Sequence, residues 1–365
     1  MTTETLPSSL PSLCPELVEG LVDRADHIDS QTHQQMVDRV MDFYRACKSD
    51  QPLAKEPYQP GGEWANYLAE RRTTYEAMMA GDATTAGRQL RNFWRNELSP
   101  IVKEYAKYEQ ILAGENEYIE RFLLNVSRNY ETWKEIFQVD KQQLAVPPVG
   151  NPWGLMIDDQ LVVPKATRFH ALATQIGELL RDVASPKVVE IGAGYGGQAY
   201  YLLRDFSGVT YIDLDLPETL VIAAYYLLAT HPELNIALYG ESTTSIDQQI
   251  RDHDVVLLPN YVLPKLCDQS VDLCVNSFSF SEMPAETLTE YLEQITRCVK
   301  SYLLHNNMDR RGVFNRGFER IPASEYPVDL RCWKRLYKKF DLFHGHQGDY
   351  REFLYQRMES TGRGS

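Results

Sequence analysis

The chain reads as an α/β protein: a doubly wound, mostly parallel sheet preceded by a helical N-terminal domain. Three observations carry this. The first is Val188-Val189-Glu190-Ile191-Gly192-Ala193-Gly194-Tyr195-Gly196-Gly197, an apolar run that ends in an acid and breaks into four glycines within six residues. The second is the alternation of short β-rich runs with helical stretches from about residue 186 onward, as a doubly wound sheet requires. The third is the helical apolar spacing of residues 16–139, which no strand pattern interrupts.

In chain order, residues 1–15 are rich in Thr, Ser and Pro and read as a flexible N-terminus. A helical domain over 16–145 follows, in the role of a lid or a dimerisation unit. Met36, Val40, Phe43, Tyr44 and Cys47 fall on one helix face, and Asp50-Gln51-Pro52 ends it. Trp64, Tyr67, Leu68, Tyr75, Met78 and Met79 mark a second helix, stopped at Gly81. Asp82 is placed to cap the next, whose apolar face is Ala86, Leu90, Phe93 and Trp94. Ile101 to Leu112 and Tyr118 to Phe137 continue the pattern. Trp and Tyr at helical spacing are read first as core, with a dimer interface or an active-site lid as the alternatives. Lys141 to Pro164, with Pro147, Pro148, Gly150, Pro152, Gly154 and Pro164, is a connector.

The sheet domain spans 146–360, and 361–365 form a tail. A helix from His170 to Val183 leads into strand one, which ends near Ile191. The glycine turn and the helix-compatible Gln198 to Leu203 follow, giving the strand–turn–helix opening of a nucleotide-type βαβ unit. Val209 to Asp215 is strand two. Pro217-Glu218 opens a helix, with proline in a first turn and an acid at the positive end of the dipole. Asp254 to Pro259, Val271 to Asn276 and Ser301 to His305 are strands three, four and five. An antiparallel pair is expected near Phe340 to His344 and Glu352 to Arg357.

The chain has 365 residues, 43% hydrophobic and 24% charged, with a net charge of -14. Such a surface repels phosphate backbones, which argues against nucleic acid and against an anionic membrane. No apolar run approaches the roughly 20 residues of a membrane span, and the polar, acidic N-terminus is unlike a secretory signal. Cys14, Cys47, Cys267, Cys274, Cys298 and Cys332 form no C-x-x-C pair, so reduced thiols in a cytoplasmic protein are expected.

Glu190 decides what the glycine turn binds. A dinucleotide lays its pyrophosphate on such a turn, and a carboxylate beside it repels that charge. S-adenosylmethionine has no phosphate and carries an ammonium and a sulfonium, so an acid two residues before Gly192 suits it. Asp213 and Asp215 lie 21 and 23 residues beyond Gly192, near the spacing at which a carboxylate grips ribose hydroxyls. The expected cofactor set is therefore Glu190, Gly192, Gly194, Gly196, Gly197, Asp213 and Asp215. Pro259 and Asn260 at the next strand end join it, with Asn276 orienting the methionine end and Arg168 clamping the cofactor carboxylate. Ligands of open α/β sheets bind beyond the carboxyl ends of the strands, which draws these positions and His305-Asn306-Asn307 to one crevice.

Methyl transfer to oxygen aligns nucleophile, methyl and sulfur and removes a proton from the alcohol. His305, ending strand five, and Glu282, just beyond strand four, are the candidate bases. Tyr195, Asn306 and Asn307 are candidate acceptor-binding residues. No tight carboxylate cluster demands a metal, and His344-Gly345-His346 with Asp349 reads as turn residues rather than a chelate.

Three blocks then stand together: Val189-Glu190-Ile191-Gly192-x-Gly194-Tyr195-Gly196-Gly197, Asp213-x-Asp215-Leu216-Pro217-Glu218-Thr219-Leu220, and Asn276-Ser277-x-Ser279-x-Ser281-Glu282-Met283. They resemble the sugar O-methyltransferase family, bacterial S-adenosylmethionine-dependent enzymes of class I fold. Asp-Leu-Pro is similar to an element of small-molecule O-methyltransferases in which the aspartate holds the ribose, here Asp215. Asn151-Pro152-Trp153-Gly154 resembles the connector before the family's core. The resemblance covers about residues 150–360 and implies a Rossmann-like class I methyltransferase sheet. Residues 1–140 match no family, and acceptor choice is expected to reside there.

The expected function is methylation of a hydroxyl on a small molecule, a sugar or glycosylated natural product. The 22 tyrosines and the Asn-rich strand ends suit a polyol. The alternatives are an O- or N-methyltransferase of a peptide-like or aromatic metabolite, an NAD-dependent oxidoreductase, which Glu190 opposes, and a scaffold without catalysis. A homodimer through the N-terminal helices is expected.

Overall fold

The computed structural model describes residues 14–25, 28–61, 64–65, 68, 72–99, 108–313, 319–343 and 348–358. The N-terminal helices are α1 (Pro15–Gly20), α2 (Ser30–Asp50), α3 (Thr73–Ala80), α4 (Ala83–Arg91), α5 (Tyr108–Leu112) and α6 (Asn116–Phe137). Their starts follow side-chain chemistry. Asp29 accepts from the backbone N–H of Gln31 and Thr32, both at 3.0 Å, to open α2, and Asp82 accepts from Thr85 N–H to open α4. Met36, Val40, Phe43, Tyr44 and Cys47 are all buried on the inner face of α2. The first half of the expected Ile101 helix and Tyr67 lie outside the described residues, as do His344-Gly345-His346 and the tail.

The expected connector holds a short antiparallel hairpin, β1 (Leu155–Ile157) with β2 (Gln160–Val162), and three residues per strand are too few to show as alternation. Then come α7 (Ala166–Leu180), β3 (Lys187–Ile191), α8 (Gly197–Asp205), β4 (Thr210–Asp215), α9 (Pro217–Thr230), β5 (Ile236–Leu238), α10 (Ile246–Asp252), β6 (Val255–Pro259), β7 (Val271–Ser277), α11 (Ala285–Cys298) and β8 (Val299–Met308). A two-residue pair, β9 (Gly312–Val313) with β10 (Glu319–Arg320), precedes the hairpin β11 (Trp333–Phe340) and β12 (Tyr350–Arg357).

Among the described residues the main sheet has eight strands in the order β11-β12-β8-β7-β3-β4-β6-β5. β12 is antiparallel to both neighbours, and the remaining pairs are parallel. Central strands such as β6 are buried along their whole length, because helices cover both faces and leave no face for water. The chain winds from β3 outward to β4 and later returns to β7 on its other side. A topological switch point therefore opens at the carboxyl end of β3.

The N-terminal helices and the sheet share one apolar core. α9 is buried from Pro217 to Leu227, a helix that is apolar all round. Its outer side is covered by α2 and by the end of α4. Lys48 Nζ pairs with Glu218 at 2.8 Å, His33 meets the Tyr225 hydroxyl at 3.0 Å, and Phe93 packs edge-on against Tyr226. Trp94, Trp133 and Trp153 are fully buried and belong to the core. No helix among the described residues is long and apolar enough to cross a membrane.

Candidate active site

The glycine turn is shaped by geometry that side chains cannot adopt. Gly192 has φ +76°, and a Cβ there would lie 2.3 Å from Ser279 Oγ. At Gly197 a Cβ would meet the Tyr195 hydroxyl at 2.4 Å and the Phe169 ring at 2.7 Å. Bare backbone at Gly192, Ala193 and Gly194 thus forms one wall of a cleft at the switch point.

Two carboxylates flank that wall. Glu190, 2% exposed, lines the cleft and accepts hydrogen bonds from Tyr211 Oη at 2.6 Å and Gln198 Nε2 at 2.9 Å. Burial pushes its pKa up to about 7, against the Tyr211 bond and the nearby Arg168 charge. Asp215, at the end of the neighbouring strand, also lines the cleft. It accepts the backbone N–H of Gly194 at 3.1 Å and of Leu216 at 2.7 Å, and burial raises its pKa. Asp213 pairs in register with Glu190, lies two residues deeper than Asp215, and is fully buried with neither carboxylate oxygen partnered. Burial and the two neighbouring acids drive its pKa well up. Against the sequence expectation, Asp213 does not line the cleft; Asp215 does.

Asn260 lines the cleft beside Tyr291, to whose hydroxyl it donates at 2.8 Å, and its Oδ1 is buried without a partner. Pro259 ends β6 and does not reach the cleft. Gly196 and Gly197 shape the turn from behind: Gly196 opens α8 with φ +84° and faces Leu227. Arg168 lines the cleft with its guanidinium 4.1 Å above the Phe278 ring. Its Nε reaches Asp341 at 3.3 Å, while Nη1 and Nη2 are buried without partners. Phe278 sits at φ +72°, a backbone conformation that costs energy in a bulky residue.

Glu282 also lines the cleft, and the Trp64 indole donates to it at 2.6 Å. His305 does not. The last of the parallel strands, β8, runs on to Met308, so residues 305–307 are interior strand rather than a polar loop. His305 is fully buried, stacked 4.8 Å from Phe353, and desolvation depresses its pKa to about 3. Asn307 is spent internally: its Oδ1 accepts from Ser281 and its Nδ2 donates to Asn276 Oδ1 at 2.8 Å. Asn276, fully buried, holds Ile191 O at 2.8 Å and the backbone N–H of Phe280. It braces the loop that carries Glu282 and does not line the cleft. Tyr195 lines the cleft, yet its ring belongs to an aromatic cluster with Trp94 and Tyr226, each at 5.2 Å. Asn306 opens into a different cavity.

Several lining residues carry no motif in the sequence. Pro57, Gln59, Pro60, Gly61 and Trp64 come from the N-terminal region. They are delivered by Tyr58, buried against Tyr291 at 5.3 Å, whose carbonyl accepts from Asn260. The Pro-Tyr-Gln-Pro-Gly run signals a loop, and nothing local says what that loop covers. Lys165 and Thr219 also lie at the wall.

No family model matches the chain. It is 40% identical over 70 residues to the fatty-acid O-methyltransferase of Mycolicibacterium smegmatis, a match spanning 19% of this chain and 23% of that protein. Among solved structures it is similar to the N-methyltransferase NodS of Bradyrhizobium japonicum, in complex with S-adenosylhomocysteine (TM-score 0.39, 12% identity, 64% of this chain and 100% of that one). It is also similar to the glycopeptide N-methyltransferase MtfA complexed with S-adenosylmethionine (TM-score 0.35, 15% identity, 51% and 92%). The chain's own strand order, parallel through β8 and closed by an antiparallel hairpin with β12 inserted beside β8, is the doubly wound, Rossmann-like α/β arrangement that the sequence predicts.

Proposed function

We propose that the chain is an S-adenosylmethionine-dependent methyltransferase acting on a hydroxyl of a small molecule, a sugar or a glycosylated natural product. One observation carries this above the others. Glu190 and Asp215 stand on adjacent strands at the glycine turn, both buried and both facing the cleft, and Asp215 occupies the Gly194 N–H that a pyrophosphate would need. Such a turn opposes a phosphorylated carrier and favours a cation.

The residues present fit that donor. Glu190 faces its positive charge, Asp215 is an acceptor for ribose hydroxyls, and one of the two unpartnered Arg168 Nη groups is a donor for its carboxylate. Bound there, S-adenosylmethionine supplies a methyl group activated by sulfonium. The chain's own work is placement, exclusion of water and proton removal. Prolines 57 and 60 and Trp64 roof the cleft, and holding the reactants in line supplies most of the rate. Glu282, fixed by the Trp64 indole, takes the proton from the acceptor hydroxyl. An oxygen acceptor accords with the short match to an O-methyltransferase. The same proposal includes pairing of two copies through the N-terminal helices, where Leu124 of α6 is exposed; sedimentation velocity distinguishes a dimer from a monomer.

The test is methyl transfer from labelled donor to a panel of hydroxylated metabolites, with wild type and Glu282→Gln. A drop of about 100-fold or more in kcat with little change in S-adenosylhomocysteine affinity is expected for a general base. Substantial activity in Glu282→Gln points instead to a nitrogen nucleophile, which needs less of a base.

A further inference from the structure

A second cavity of ≈ 440 Å³ lies between α7 and the β11–β12 hairpin. Its walls are apolar: Leu172 inside, with Ile136, Phe340 and Leu342 at the mouth, 48%, 59% and 52% exposed. Three large exposed apolar side chains around one opening are unusual on a surface unless something sits there. The floor is polar and internally neutral. Glu352 is held by Lys339, Gln175 and Tyr337, and Asp341 faces Arg168.

Hydrogen-bonding capacity is left over at one end. Arg168 Nε and Asn306 Nδ2 converge on the same oxygen of Asp341, at 3.3 and 2.7 Å. Arg168 Nη1 and Nη2 and Asn306 Oδ1 are then buried without partners, although both residues are at least 96% buried. The Arg168 Nη not used by the cofactor carboxylate and Asn306 Oδ1 are thus a donor and an acceptor on two residues anchored to one Asp341 oxygen. Buried polar groups left unmade are costly. A hydroxyl satisfies both kinds at once, accepting from Arg168 and donating to Asn306. A carboxylate cannot donate to Asn306 Oδ1, and an ammonium cannot accept from Arg168. Arg168 lines the catalytic cleft as well as this groove, so a molecule held here abuts the donor's site.

We propose that this groove binds the methyl acceptor, and that the acceptor is a neutral hydroxylated molecule with an apolar body, of the alkyl glycoside type. Its apolar part lies along Leu172, Phe340 and Leu342, one hydroxyl bridges Arg168 and Asn306, and a neighbouring hydroxyl is presented past Arg168 to the cleft. This rests on the methyl-transfer function proposed above.

The test is calorimetric titration of the 365-residue chain, saturated with S-adenosylhomocysteine, with octyl β-D-glucoside below its micelle concentration and with octanoate. Ala171→Trp fills the groove from α7, and Leu342→Asp makes its exposed rim polar without touching the core. Saturable octyl glucoside binding, weaker by about tenfold or more in both variants and stronger than octanoate binding, is expected. Absent octyl glucoside binding, binding unchanged in the variants, or tighter octanoate binding overturns the groove assignment while S-adenosylhomocysteine still binds. Failure of S-adenosylhomocysteine to bind wild type overturns the methyltransferase function itself.

Discussion

Glu190 concentrates the chemistry at the scale of single residues. Its pKa, raised to about 7 by burial, exceeds the usual carboxylate value, so the folded protein holds this proton more tightly than the unfolded chain. The associated stability is fully present below about pH 4.5 and is lost as pH rises towards 7. Glu190→Gln is expected to flatten that decline in thermal melts recorded across this window. A cationic donor prefers the ionised acid, so S-adenosylmethionine affinity is expected to rise from pH 6 to pH 8 in wild type and to lose most of that rise in the variant. His305→Phe is expected to leave kcat within about threefold of wild type, since an apolar ring of similar size suits a packed core position; a collapse in kcat with fold intact restores His305 as a base. Glu190 and Asp215 were legible because strand ends in this fold converge on one crevice. His305 and Asn307 misled because β8 is longer than its apolar run. Strand alternation then turns His305 and Asn307 to one face and Asn306 to the other.

At the scale of elements, caps and turns were legible and short or exposed strands were not. Asp29→Ala removes two backbone hydrogen bonds at the start of α2 and is expected to cost about 1 kcal/mol in urea unfolding. Gly192→Ala places a methyl group 2.3 Å from Ser279 Oγ at a positive φ, and loss of donor binding with a cooperative melt retained is the expected signature. β5 and the β1–β2 hairpin escaped notice at three residues per strand. β11 was displaced in the sequence expectation because Lys334, Arg335, Lys338 and Lys339 give it the charge of an edge strand. The Pro57–Gly61 loop shows a different limit: its turn chemistry is local, but its position over the cleft depends on Tyr58 reaching Tyr291 across the fold.

For the whole molecule, the N-terminal helices and the sheet share one apolar core. α9 has no polar face, so a chain lacking residues 1–60 exposes it once α2 is gone, and circular dichroism of that fragment is expected to show no cooperative melt. A cooperative melt near that of the full chain would mean the sheet region stands alone. The net charge of -14 agrees with a cleft that repels phosphate. The central claim is that two buried carboxylates at the glycine turn select a cationic, phosphate-free donor. Parallel calorimetric titrations with S-adenosylmethionine and NAD⁺ at pH 8 test it most directly. Saturable one-to-one binding of S-adenosylmethionine with no heat from NAD⁺ is predicted; saturable NAD⁺ binding with none of S-adenosylmethionine would contradict it.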